Sequence, residues 1–254
     1  TGQAASMGIY RELEKQANLL EPDSNTRKDW NSQVQEYADK FLDNISERPA
    51  YQAGDGKEVL NLPVSPEGYS METILKNLEV GVDQAGINPA SGGHLGYIPG
   101  GGVFPTALGD YLAAVTNRYA GIFFANPGAV RIENLLIRWM CKMVGYPDNA
   151  LGNLASGGSI ANLTAFTAAR DWKEIKARDF ERSVIYLTAQ VHHCVQKAIR
   201  IAGMREAIVR YIPMNANYQM DVVALRKQID IDRTQDLKPF LVVAAAGTTD
   251  TGAI

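Results

Sequence analysis

Three short apolar runs, SVIYL at 183–187, AIVRYI at 207–212 and FLVVAAA at 240–246, leave this chain few architectures. Each has the length and aliphatic content of a strand buried on both faces. The stretches between them, 191–202 and 221–229, have helical spacing. Strands alternating with helices make βαβ units, which build a parallel sheet with helices on both faces. Functional groups in such sheets gather at the carboxyl ends of the strands. His192 and His193 follow the first run, and Thr248 and Thr249 follow the third. A histidine at a strand end also serves as an ordinary helix-start or packing residue.

Upstream lies LGNLASGGSIANLTAFTAAR at 151–170. Ser156, Gly157, Gly158 and Ser159 run directly into Ile160, Leu163, Phe166, Thr167 and Arg170, the spacing of a helix face. The pattern predicts a tight turn opening a helix. Unpaired N–H groups and serine hydroxyls at the positive end of a helix dipole bind a phosphate well, and glycines let the anion approach. The same four residues also serve as a plain turn and cap. They match neither GxGxxG nor GxxxxGK[ST], so neither a dinucleotide fold nor a Walker loop has direct support.

The first 87 residues read as a helical segment without a convincing strand. A helix is expected over 7–20. A second is expected to be capped by Thr26, with Trp30, Val34, Tyr37, Ala38, Phe41, Leu42 and Ile45 as its apolar stripe. Residues 48–68 hold three prolines and three glycines and break the pattern. A further helix runs from Ser70 through Ile74, Leu78 and Val82. Residues 88–105, NPASGGHLGYIPGGGVFP, are too rich in glycine and proline for a regular element. A loop this long inside a compact protein is usually functional or disordered. Its His94, Tyr97 and Phe104 either line a pocket or anchor the loop. Helices are expected at 106–119 and at 127–143, the latter with Pro127 in its first turn and Gly145 past its end.

Composition bounds the function. The 254 residues are 46% hydrophobic and 21% charged, with a formal net charge of −3. No basic stripe invites nucleic acid. Cys141 and Cys194 form neither a disulfide framework nor a metal-ligand pair, which suits a reducing cytoplasm. The apolar runs are too short to span a bilayer. Residues 1–6 read as a polar leader.

Four motifs in order, HLGYIPGGGVFP, NLASGGSIANL, QVHHCVQKA and AAGTTDTGAI, resemble the pyridoxal-phosphate-dependent group II amino-acid decarboxylases, the superfamily of aromatic-L-amino-acid and glutamate decarboxylases. The resemblance covers residues 88–254 and implies fold type I. The expected architecture is α/β: a helical, dimer-forming segment over 1–87, then over 88–254 the first part of a large cofactor domain with a mostly parallel sheet.

The resemblance further implies that Gly157, Gly158 and Ser159 hold the phosphate of pyridoxal 5′-phosphate. It implies that His192 stacks on the pyridine ring and acts in catalysis, that Thr249 sits beside the ring substituents, and that Tyr97, Ile98 and Pro99 line the substrate side. No metal is expected. The implied reaction is decarboxylation of an L-amino acid, aromatic ones favoured, by a cytoplasmic homodimer without nucleic-acid or membrane partners. Family members carry an aspartate for the pyridine nitrogen and a Schiff-base lysine downstream of the GTT segment. Neither is assignable up to Ile254, and Lys197, Lys227 and Lys238 lack that lysine's context. The chain thus reads as the N-terminal part of a longer enzyme, or one fragment of a cleaved one, inactive alone. An aminotransferase, a lyase related to sphingosine-phosphate lyase, and a non-catalytic cofactor-holding or dimerisation fragment remain alternatives.

Overall fold

A computed structural model describes residues 2–18, 20–57, 59 and 63–254, with side chains from Met7 onward. The chain forms two compact units, Thr1–Thr106 and Ala107–Ile254.

The first unit contains α1 (Gly2–Asn18), α2 (Ser24–Asp43) and α3 (Met71–Leu78), which continues into a π-helical turn at Glu79–Asp83. The N-cap of α2 is Asp23, not Thr26: its carboxylate accepts the Thr26 N–H at 2.8 Å. A carboxylate satisfies that amide as a hydroxyl would and adds a negative charge at the positive end of the helix dipole. Ser70 caps α3, as the sequence predicts. Two contacts tie α2 to the turn after α3. Tyr37 donates to Asp83, and Lys40 Nζ lies 2.7 Å from Glu79. Two short strands escape sequence reasoning, β1 (Tyr51–Gln52) and β2 (Gly86–Ile87), paired antiparallel. Residues 88–103 then form the irregular loop, and α4 (Phe104–Thr116) begins two residues earlier than expected.

The second unit holds α5 (Pro127–Met143), with the predicted boundaries. Asn126 caps it, Pro127 opens it, and Gly145 turns the chain at φ +77°, a left-handed conformation that favours glycine. Next come α6 (Gly158–Trp172), β3 (Ser183–Leu187), α7 (Cys194–Ile201), β4 (Ile208–Tyr211), α8 (Val222–Thr234) and β5 (Lys238–Val242). The three long strands are parallel in the order β4-β3-β5.

Alternation along β3 divides the core. Ile185 and Leu187 face one side and pack with Phe166 of α6 and Val195, Ala198 and Ile199 of α7. Val184 and Tyr186 face the other and pack with Ala224, Leu225 and Ile229 of α8. Helices therefore cover both faces, the arrangement expected from the βαβ pattern.

The third strand is displaced from 240–246 to Lys238–Val242. Its start is pinned by Lys238 Nζ, 2.5 Å from Asp179. Pro239 has no N–H for the ladder, and the register with β3 slips by one residue there. The Val243 N–H makes a last bond to the Tyr186 carbonyl at 2.8 Å, after which Ala244, Ala245 and Ala246 are exposed. Small alanines pack weakly on a pleated surface, and Gly247 at φ +90° turns the chain away.

Candidate active site

Helix α6 starts as the SGGS motif predicts. Gly157 occupies the N-cap position without a side-chain cap, and its carbonyl accepts from Ile160 and Ala161. Among the described residues, nothing satisfies the N–H groups of Gly158 and Ser159 or the Ser159 hydroxyl. These donors stand exposed at the positive end of a 15-residue helix. The glycines are not demanded from within. Gly157 is extended, Gly158 is helical, and a Cβ on either would meet nothing within 4 Å. An open cradle of free donors suits an anion from outside the chain.

The carboxyl edge of the sheet supplies the rest. After β3 the chain passes Thr188 and Gln190 to His192 and His193, whose rings lie 4.1 Å apart, tilted by 39°. His193 stands at the N-cap position of α7 and makes no capping bond. The adjacent His192, then slight burial and Lys197, hold its pKa below the ordinary histidine value. His192 accepts the Cys194 N–H on Nδ1 at 3.2 Å. In the neutral ring that bond leaves the proton on Nε2. Cys194 is 4% exposed, a buried thiol.

After β5, the GTTDTGA loop closes through the Gly247 and Thr248 N–H groups on the Ala253 carbonyl. Thr248 is buried, with its hydroxyl 2.6 Å from that of Thr251, whereas Thr249 is half-buried with no hydrogen bond of its own among the described residues. Because β3 and β5 are parallel neighbours, His192 and Thr249 leave the same sheet edge.

Tyr97, Ile98 and Pro99 belong to the first unit and are exposed there. Tyr97 has φ +66°, rare for a non-glycine residue, and its ring stacks with His94 at 6.2 Å and 16°. The His94 Nε2 is buried without a partner among the described residues. Such local strain and unmet polarity collect at working loops.

Asn162 is the residue that sequence reading missed. It donates to the Gly158 carbonyl at 2.8 Å and to Cys194 Sγ at 3.5 Å, linking the cradle to the segment that holds His192. An asparagine in the first turns of a helix, able to bond the carbonyl four residues back, is the signal that marked it.

Comparison with known proteins decides the family. The pyridoxal-dependent decarboxylase conserved domain matches residues 54–254. The chain belongs to this family. Pyridoxal 5′-phosphate is the family's cofactor, and the chain is an α/β, fold-type-I member.

Within the pyridoxal-dependent decarboxylases, an aromatic-L-amino-acid decarboxylase of Bacillus atrophaeus is 39% identical over 160 residues, covering 63% of this chain and 33% of that protein. Tryptophan decarboxylase 2 of Oryza sativa subsp. japonica is 28% identical, covering 80% of this chain and 43% of that protein. The crystal structure of Oryza sativa TDC with PLP and tryptamine superposes with a TM-score of 0.80 at 21% identity, over 91% of this chain and 51% of that one. The chain thus spans a third to a half of the length of these relatives.

The residues present fit the family's cofactor. A phosphate would find free N–H donors, the Ser159 hydroxyl and glycines that leave it room, while the sheet edge offers a flat imidazole and a threonine hydroxyl. Among the described residues, no cluster of histidine, cysteine or acidic groups is arranged to hold a metal.

Proposed function

We propose that the full protein to which this chain belongs is a pyridoxal-phosphate-dependent amino-acid decarboxylase that favours aromatic substrates. The observation that carries the reading is the free donor set at the start of α6, with the ring of His192 joined to the same turn by hydrogen bonds through Asn162 and Cys194. The match to the decarboxylase domain favours this reaction over the aminotransferase and lyase alternatives.

In this reading the N–H groups of Gly158 and Ser159 and the Ser159 hydroxyl bind the phosphate, with Gly157 leaving space beside it. His192, oriented by the Cys194 amide, presents its ring to the pyridine and excludes water from that face. Thr249 offers its unbonded hydroxyl to the ring substituents. The family resemblance assigns Tyr97, Ile98 and Pro99 of the first unit to the substrate. The bound cofactor supplies an electron sink for the pair left when the α-carboxylate departs as CO2.

Aromatic preference follows from residues 88–105, which contain neither Arg nor Lys. A substrate side chain bearing a carboxylate would meet no cation there and would lose its hydration uncompensated. The names of the two curated relatives above point the same way.

A cytoplasmic homodimer completes the proposal. Trp30, Val34 and Leu42 of α2 and Ile74 and Leu78 of α3 are 38–45% exposed. Apolar stripes on amphipathic helices bury against something, and a second copy is the simplest candidate.

The test is CO2 release by the full-length holoenzyme. Tyrosine, tryptophan, phenylalanine and DOPA are compared with glutamate, aspartate and diaminobutyrate. Faster release from an acidic substrate than from every aromatic one overturns the preference. Borohydride trapping with peptide mapping locates the Schiff-base lysine, expected beyond residue 254. Light scattering on the same preparation reports the dimer, and an active monomer at micromolar concentration overturns that part.

A further inference from the structure

We infer that Asn162 is a positioning residue that couples the phosphate cradle to His192 by way of Cys194. The inference rests on the cofactor reading of that cradle.

The amide of Asn162 carries two N–H donors, and both are used. One meets the Gly158 carbonyl at 2.8 Å, inside the cradle itself. The other meets Cys194 Sγ at 3.5 Å, across the gap between α6 and α7. Cys194 in turn gives its backbone N–H to His192 Nδ1 at 3.2 Å. Three consecutive hydrogen bonds therefore join the helix turn that receives the phosphate to the imidazole that receives the ring. The hinge of this path is fixed, since Cys194 is 4% exposed and packs in the core with Phe166 of α6 and Val195 of α7.

Helix stability does not account for Asn162. The residue is exposed on α6, where alanine is the better helix former. Its Gly158 bond is made to a carbonyl four residues back, a contact that if anything weakens a helix. What the asparagine adds is the tie to α7. Without it, core packing alone holds the start of α7 against α6, and the ring of His192 loses its hydrogen-bonded tie to the turn that carries the phosphate donors. A cofactor gripped at both ends then loses the benefit of a preset spacing.

The helix-propensity and positioning accounts differ in sign, which makes the test clear. Asn162→Ala should leave the melting temperature of the apoenzyme unchanged or slightly raised. It should weaken pyridoxal phosphate binding about three- to tenfold, read by absorbance and fluorescence titration of the full-length apoenzyme. Cys194→Ala should weaken binding by a similar factor, Cys194→Ser should retain most of the affinity, and the double alanine variant should be no worse than either single one. Ser159→Ala is the control for the cradle.

If Ser159→Ala weakens binding while Asn162→Ala stays within twofold of wild type, the coupling is refuted and the cradle stands. If the two alanine effects multiply, Asn162 does not act through Cys194, and the inference is equally refuted. If Ser159→Ala also leaves binding unchanged, the cofactor reading falls and the inference with it.

Discussion

The substitution Asp232→Asn probes the second unit at its most exacting point. Asp232 is fully buried on α8, where its carboxylate accepts from Tyr186 Oη at 2.9 Å, Arg210 Nη2 at 2.8 Å and Gln228 Nε2 at 3.0 Å. Burial pushes its pKa upward, but the donors from Arg210, Tyr186 and Gln228 outweigh burial and hold it below the ordinary carboxylate value. The same burial and the facing carboxylate raise the pKa of Tyr186. Asparagine keeps the volume but offers one acceptor oxygen to three donors, and its NH2 group points a donor at a donor.

Breaking a buried ion pair costs about 3–5 kcal/mol. Here the Arg210 side chain is 34% exposed and keeps part of its hydration. The lower end applies, about 3 kcal/mol, which at a urea m-value of about 2 kcal/mol/M shifts the midpoint down by roughly 1.5 M. The pH dependence carries a definite sign. A carboxylate whose folded pKa is depressed stabilises the fold above its unfolded value, about 3.9, and loses that contribution as pH falls through the folded value. The gap between wild type and Asp232→Asn should therefore be widest near pH 7 and narrow below about pH 4. Urea titrations followed by circular dichroism at both pH values decide it. A midpoint at pH 7 within about 0.3 M of wild type, or a gap that does not shrink on acidification, refutes the reasoning.

On the proposed cofactor reading, Ser159→Ala removes a donor to the phosphate, and loss of one charge-assisted hydrogen bond, about 1.5–3 kcal/mol, should raise the cofactor dissociation constant roughly 10- to 150-fold in a titration of the apoenzyme. His192→Ala should lower turnover at saturating cofactor on the order of 10- to 100-fold if, as proposed, the ring positions and shields the reacting group; wild-type turnover would return His192 to a packing role. Phe166→Ala deletes a side chain that is 3% exposed and meets the Phe240 ring edge-on at 5.6 Å. It should cost about 3–5 kcal/mol, measured as a fall in the urea midpoint without a change in secondary-structure content before the transition.

Local chemistry dictates what is legible in the amino-acid sequence. Pro127 and Gly145 bracket α5, Ser70 caps α3, and the glycine pair opens α6, because caps and turns involve residues within a few positions of one another. The strand SVIYL was legible because burial on both faces leaves an unbroken apolar run. The competition between Asp23 and Thr26 for the cap of α2 was not, since both types cap well and only the backbone path chooses.

Contacts between distant segments belonged to the tertiary structure alone. The run FLVVAAA marks apolarity but not pairing; the register with β3 and the anchor of Lys238 on Asp179 moved the strand toward its start. Asp232 looks in sequence like one more charge on a surface helix, until strand pairing brings Arg210 and Tyr186 beneath it. Asn162 and Cys194, separated by 32 residues, meet only because α6 and α7 share one face of the sheet. A motif can specify a helix start and a free donor set, but the spacing between that turn and His192 is set by how two helices pack on β3, and packing is a property of the assembled core.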